Sequence, residues 1–268
     1  MSATPEELLA AGEANAALKM LQGKVRTNAA DVKLRIFLFQ LLALLGQWSR
    51  SLDQLRVCGE MSAGTLAMVN TYTSAVQCEG VREAVFAGRT LPHVFGPPTE
   101  WVALLAQALQ LDAEGRGDAA AAARSQALEA ATPSRGTLDG EPFEWMADAD
   151  SRLGPVLEVI VNGRYGWLPF AHLAAVDIEP VVDLRDLVWA PAHLSFANGG
   201  DTVALLPVRY AGTPLADGGA LALARKTEWL ELGGGQYRGL GQRVLATDSA
   251  ERGLLEARRI AFEVAAAS

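Results

Sequence analysis

Apolar residues return every third or fourth position through the first half of the chain and fall into short β-like runs through the second. Thr4 followed by Pro5 is a helix start, an N-cap with proline at the first helical position. Glu6 to Ala11 forms a short helix that Gly12 breaks. Glu13 to Thr27 continues with Ala17, Leu18, Leu21 and Val25 on one face. Asp31 caps the next helix, which runs through an almost wholly apolar stretch to Leu45 and ends at Gly46. Trp48 to Cys58 and Ser62 to Gly88 predict two more helices. Thr99 caps another that contains Trp101, Leu104, Leu105, Ala108 and Leu109.

Gly12 and Gly46 lie 34 residues apart, the period of tetratricopeptide (TPR) hairpins. Five residues after each comes a small residue, Ala17 or Ser51, where paired helices approach closely. Nine residues after comes Leu21 or Leu55. Gly117 predicts a third such hairpin with Ala122 at the small position and Gln126 in place of the leucine. Helical hairpin arrays bury one face and present another as a groove.

The pattern changes near Thr132. The segment Thr132-Pro133-Ser134-Arg135-Gly136 reads as a linker. Val156 to Val161, the turn Asn162-Gly163 and Tyr165 to Phe170 read as a β-hairpin. Ala174 to Ile178, Leu187 to Phe196 and Thr202 to Arg209 follow, the last two joined by Asn198-Gly199-Gly200. Gln242 to Ala246 and Leu254 to Ile260 are weaker strand candidates. Thr227-Glu228-Trp229 fits a short helix or a strand, and Gly233-Gly234-Gly235 reads as a flexible loop. The expected fold is α+β in two domains. Residues 1–131 form a TPR-like helical array, and residues 132–268 form a smaller β-rich domain, either a partly open barrel or a sheet with few helices.

Charge changes this picture little. The net charge of −8 is uneven, −2 over residues 1–140 and −6 over 141–268. An acidic surface repels phosphate backbones, which argues against nucleic acid as the partner and leaves a basic protein surface compatible. The apolar stretch Leu34 to Leu45 is too short to span a bilayer, which needs about 20 residues. Met1 to Ala10 has neither the basic start nor the apolar run of a signal peptide. Cys58 and Cys78 form neither a disulfide framework nor a CxxC site, so the expected compartment is the reducing cytoplasm.

Candidate chemistry is sparse. Glu144, Asp148, Asp150, Arg152 and Glu158 form an acidic cluster. Paired carboxylates of this kind bind divalent cations or divide acid and base roles. Asp148, Asp150 and Glu158 therefore carry an alternative reading, a metal-dependent hydrolase. Against it stands a plainer one, a capping and ion-pair cluster around Arg152. His93, His172 and His193 lack metal-ligand spacing, and no nucleophile elbow, Walker loop or dinucleotide fingerprint is present. The expectation is a non-enzymatic protein without cofactor or metal.

Several runs have a more specific resemblance. They include Leu34 to Trp48, Asp139 to Trp145, Asp148 to Glu158, Asn162 to Tyr165 and Asp183 to Trp189. Ala197 to Gly200, Pro207-Val-Arg-Tyr210 and Lys226-Thr-Glu-Trp229 extend the match. Together they resemble the ImpE family, also called TagJ or SciE-type, across nearly the whole chain. The resemblance implies a cytoplasmic accessory factor of type VI secretion. Its implied partners are the N-terminal helix of the small contractile-sheath subunit and the AAA+ ATPase that recycles the sheath. A generic TPR-type scaffold is the weaker alternative. On a helical array, Arg35, Phe39, Gln40 and Trp48 are the candidate partner-binding residues, with core packing as the competing role for Phe39 and Trp48.

Overall fold

The computed structural model describes residues 3–97 and 99–264 of the chain. It holds seven α-helices followed by thirteen strands among these residues. The helices are α1 (Pro5–Ala10), α2 (Ala14–Thr27), α3 (Val32–Leu44), α4 (Trp48–Met61), α5 (Leu66–Phe86), α6 (Glu100–Ala113) and α7 (Gly117–Ala130). Three short turns join α1 to α2, α3 to α4 and α6 to α7 as hairpins.

Each of these turns closes on a glycine at positive φ, Gly12 (+86°), Gly46 (+67°) and Gly115 (+74°). The same pair of hydrogen bonds finishes each first helix, for example Gly46 N–H to Ala43 O at 3.0 Å and Gln47 N–H to Leu42 O at 2.8 Å. The third hairpin is therefore set by Gly115. The expected Gly117 is instead the first residue of α7. The correction moves the motif by two residues, to Ala120 and Arg124. Ala17, Ser51 and Ala120 are all fully buried, as are Leu21, Leu55 and Arg124. An arginine thus occupies a position where the other hairpins place leucine. It is held by Asp112 and Gln236.

The strands are β1 (Gly136–Leu138), β2 (Glu141–Phe143), β3 (Met146–Asp148), β4 (Val156–Val161), β5 (Arg164–Pro169), β6 (Leu173–Ile178), β7 (Trp189–Phe196), β8 (Asp201–Pro207), β9 (Thr227–Gly233), β10 (Gln236–Gly241), β11 (Val244–Thr247), β12 (Glu251–Gly253) and β13 (Arg259–Phe262). Eight of them form an antiparallel sheet in the order β2-β1-β13-β6-β7-β8-β4-β5. Residues β9 and β10 form a hairpin of their own, and β12-β11-β3 a third, small sheet. Of the two expected arrangements, the sheet is the one observed. Asn162 and Gly163 both take positive φ (50° and 71°), which gives the β4–β5 hairpin the twist its two strands require. Gly233-Gly234-Gly235, read from sequence as a flexible loop, lies at the turn of the β9–β10 hairpin, and Thr227-Glu228-Trp229 opens β9.

The connector from α7 to β1 falls where the composition changes. The main apolar cluster nevertheless crosses it: Phe39, Leu41, Tyr72 and Leu105 of the helices pack with Val156, Ile160, Trp167 and Trp189 of the sheet. Alternation along β4 divides the layers. Val156 and Ile160 face the helices, whereas Leu157 and Val159 face a second cluster with Phe170, Val176, Leu245 and Ile260.

Candidate functional site

The expected partner residues lie on α3 and at the start of α4. Helix α3 is apolar apart from Lys33, Arg35 and Gln40, too few to give it a continuous polar face. It is enclosed from Leu38 to Leu44. Phe39 is 0% exposed and packs its ring 5.8 Å from that of Tyr72; Gln40 is 5% exposed. These two residues therefore lie inside the core, the competing role for Phe39, and neither presents a surface to a partner as expected. Arg35 and Trp48 are half-buried. Arg35 donates from Nε to Ala29 O at 2.9 Å and from Nη1 to Gln54 Oε1 at 3.2 Å. Trp48 stands 6.0 Å from the ring of Trp189.

The acidic cluster does converge, in the interior. Alternation along β4 turns Glu158 toward α5, where Arg82 donates to it from Nε (2.7 Å) and Nη2 (3.0 Å). The Tyr165 hydroxyl adds a third bond at 2.6 Å and itself accepts from Trp167 Nε1. Arg243 bridges Asp148 (2.7 and 2.9 Å) to Glu158 (3.3 Å). Arg152 holds Asp150 at 2.6 Å, and the Gly239 amide donates to the same carboxylate. Asp148 also accepts from the Tyr210 hydroxyl and the Asp150 amide. Glu79 accepts from Trp189 Nε1 at 2.8 Å. Glu144 lies outside this set and pairs with Arg135 at the surface.

The carboxylates of Asp148, Asp150 and Glu158 are at most 3% exposed, and each is taken by a guanidinium group. That corrects the hydrolase alternative, which needed them open to a cation or a substrate. Among the described residues no group of three His, Cys, Asp or Glu side chains is placed to hold a metal. The arrangement is an ion-paired clasp between α5 and the sheet, and it accounts for most of the partners that buried charges require.

Sequence reasoning found the acids but missed Glu79, Arg82, Arg209 and Arg243. A signal existed for two of them. Tyr72, Ala75, Val76, Glu79 and Arg82 are spaced by three or four along the buried stripe of α5, so two charges sit where apolar residues belong.

Electrostatics follow from this packing. Burial would raise Glu158, but Arg82 and Arg243 overcome it and hold the carboxyl at about 2. Burial pushes Asp148 up to about 6, against the opposing pull of Arg243 and with help from Asp150. A carboxylate lowered from 4.5 to about 2 stabilises the fold above pH 4.5 and loses that contribution as pH falls toward 2. The expected result is a stability gap between wild type and Glu158→Gln that shrinks by about 3 kcal/mol across this window. Urea titrations of both proteins at several pH values measure it; a gap independent of pH contradicts the assignment.

Beside the clasp lies a cavity of about 210 Å³, lined by Trp48, Glu79, Val188, Arg209, Thr213 and Leu215. Arg209 donates from Nη1 to the carbonyls of Leu44 (2.6 Å) and Ala222 (2.8 Å). Burial pulls its pKa down to about 10, still well above neutrality.

Helical hairpins packed on an antiparallel sheet, with the acidic cluster closed to solvent and ion-paired, define an α+β fold. No helix among the described residues is long and apolar enough to cross a membrane. The chain belongs to the ImpE family: the family described as ImpE protein matches residues 140–261, and a curated relative matches nearly the whole chain. That relative, the type VI secretion system accessory component TagJ of Pseudomonas aeruginosa, is 55% identical over 258 residues, covering 96% of this chain and 90% of the relative. The crystal structure of protein VPA1032 from Vibrio parahaemolyticus has the same fold, with a TM-score of 0.88, 20% identity and 97% of each chain covered.

Proposed function

We propose that this protein is a non-catalytic accessory component of a type VI secretion system, working in the cytoplasm. The observation that carries this reading is the 55% identity, over 96% of the chain, to a relative bearing that name. On this reading it binds the amphipathic N-terminal helix of the small sheath subunit and acts near the sheath-recycling AAA+ ATPase. A helix of that kind seats apolar side chains at i, i+3, i+4 and i+7 in a trough and uses polar groups to fix register. Arg35 and Trp48, the two candidates with accessible surface, are the contacts assigned to it. Phe39 and Gln40 support the same helices from within.

The test is a titration of the protein with a labelled synthetic sheath-subunit helix, followed by fluorescence anisotropy. Saturable binding is expected. Trp48→Ala should weaken it by about 2 kcal/mol, the cost of removing a central aromatic contact. Absence of saturable binding to wild-type protein overturns the partner assignment.

A further inference from the structure

Five arginines are buried in this protein: Arg82, Arg124, Arg152, Arg209 and Arg243. Four hold a carboxylate: Glu158, Asp112, Asp150 and Asp148 respectively. Arg209 is 5% exposed and has no acidic side chain within ion-pairing distance among the described residues. Its Nη1 is committed to two main-chain carbonyls. Its Nε and Nη2 have no protein acceptor among the described residues. They are not among the sealed side-chain atoms that lack a partner, which are Thr99 Oγ1, Arg124 Nη2 and Arg185 Nε. Both atoms therefore retain contact with open space, and Arg209 is among the residues that line the cavity beside Trp48.

We propose that this cavity binds a carboxylate, gripped by the Nε–Nη2 edge of Arg209. That edge presents two parallel N–H donors at the spacing of two carboxylate oxygens, the arrangement that gives arginine its bidentate preference. Trp48, Val188 and Leu215 supply apolar walls for the carbon chain behind the headgroup. Two acids and a second arginine, Arg82, also line the cavity, and Glu79 and Arg82 act on Arg209 in opposite directions. Glu79 is already engaged by Trp189 Nε1 and lies 3.5 Å from Arg82. Glu83 is solvent-exposed at the rim and pairs with Arg89. The carboxylate can arrive on a peptide side chain or as a free small acid. Trp48 is common to this cavity and to the contact assigned to the sheath-subunit helix, but the probes below contain no sheath sequence, so their outcome is read separately from that assignment.

Tryptophan fluorescence of the whole protein reads the test, because Trp48 forms one wall. The probes are sodium acetate, a capped tripeptide with a central glutamate, and the same tripeptide with glutamine; sodium chloride controls for ionic strength. Saturable change with the glutamate peptide and acetate, and none with the glutamine peptide or chloride, supports the site and a peptide source. Saturation by acetate alone supports the site and assigns it to a small free acid. Response to neither overturns the proposal. Arg209→Lys keeps the charge but loses the fork, and should weaken binding by about ten-fold. Leu215→Glu leaves Arg209 untouched and places a tethered carboxylate at the cavity wall, so external carboxylate should no longer bind while the melting temperature holds or rises. Should Arg209→Lys fail to fold, Leu215→Glu still decides: unchanged binding in that variant overturns the proposal.

Discussion

Replacing Arg243 by methionine should lower the free energy of unfolding by about 3–5 kcal/mol, the cost of stripping a buried ion pair of one partner. The reason lies in what remains behind. Asp148 and Glu158 are 3% and 0% exposed, and Arg243 reaches both. Without it Asp148 keeps only the Tyr210 hydroxyl and the Asp150 amide, while Glu158 keeps Arg82 and Tyr165. The methionine fills most of the volume, so a cavity contributes little. Chemical denaturation of the two proteins at neutral pH measures the difference. A change under about 1 kcal/mol would mean that the clasp relaxes or admits water when opened.

Phe39→Ala should be comparably severe, at about 3–5 kcal/mol, because it opens a void among side chains that are themselves locked. Phe39 is wholly enclosed, against Tyr72, whose ring lies 5.9 Å from Trp189. The loss therefore spreads along a line of aromatics from α3 to β7. The main-chain carbonyl of the same residue accepts from Ser51 Oγ at 3.1 Å, which fixes α3 against α4 independently of the ring. Trp48→Ala makes the informative contrast. That side chain is half-buried, and the same melting experiment should register a smaller loss. A fall in melting temperature no larger for Phe39→Ala than for Trp48→Ala would refute the placement of Phe39 in the core.

The contrast between these two residues marks how far the sequence could be read. Strand β4 and its turn were legible because a run of β-branched and aliphatic residues ends at Asn162-Gly163, a pair that admits few other conformations. The 34-residue spacing of Gly12 and Gly46 was legible for a similar reason: a left-handed residue is needed at the end of a helix, and glycine supplies it most cheaply. The third hairpin was displaced by two positions because Gly115 and Gly117 flank Arg116, and composition does not say which glycine turns. Helix α3 was misjudged in a different way. Arg35 and Gln40 stood out as candidate partner contacts on an almost wholly apolar helix, yet neighbours cover the helix from Leu38 onward, Gln40 included. The acidic cluster was visible as a local run, but its partners were not. Arg82 and Arg243 reach it from far along the chain; the buried stripe of α5 marks Arg82 as enclosed, but local spacing does not name its partner.

The clasp has a consequence during synthesis. Arg82 is translated well before Glu158, and Arg243 later still. At elongation rates of roughly 5–20 residues per second the stretch between residues 82 and 243 takes on the order of ten seconds. Until Glu158 is made, Glu79 and Arg82 on the stripe that α5 must bury have only each other, 3.5 Å apart, as counter-charge. Burial of that stripe against the sheet is fully compensated only once Glu158 and Trp189 are present to take Arg82 and Glu79.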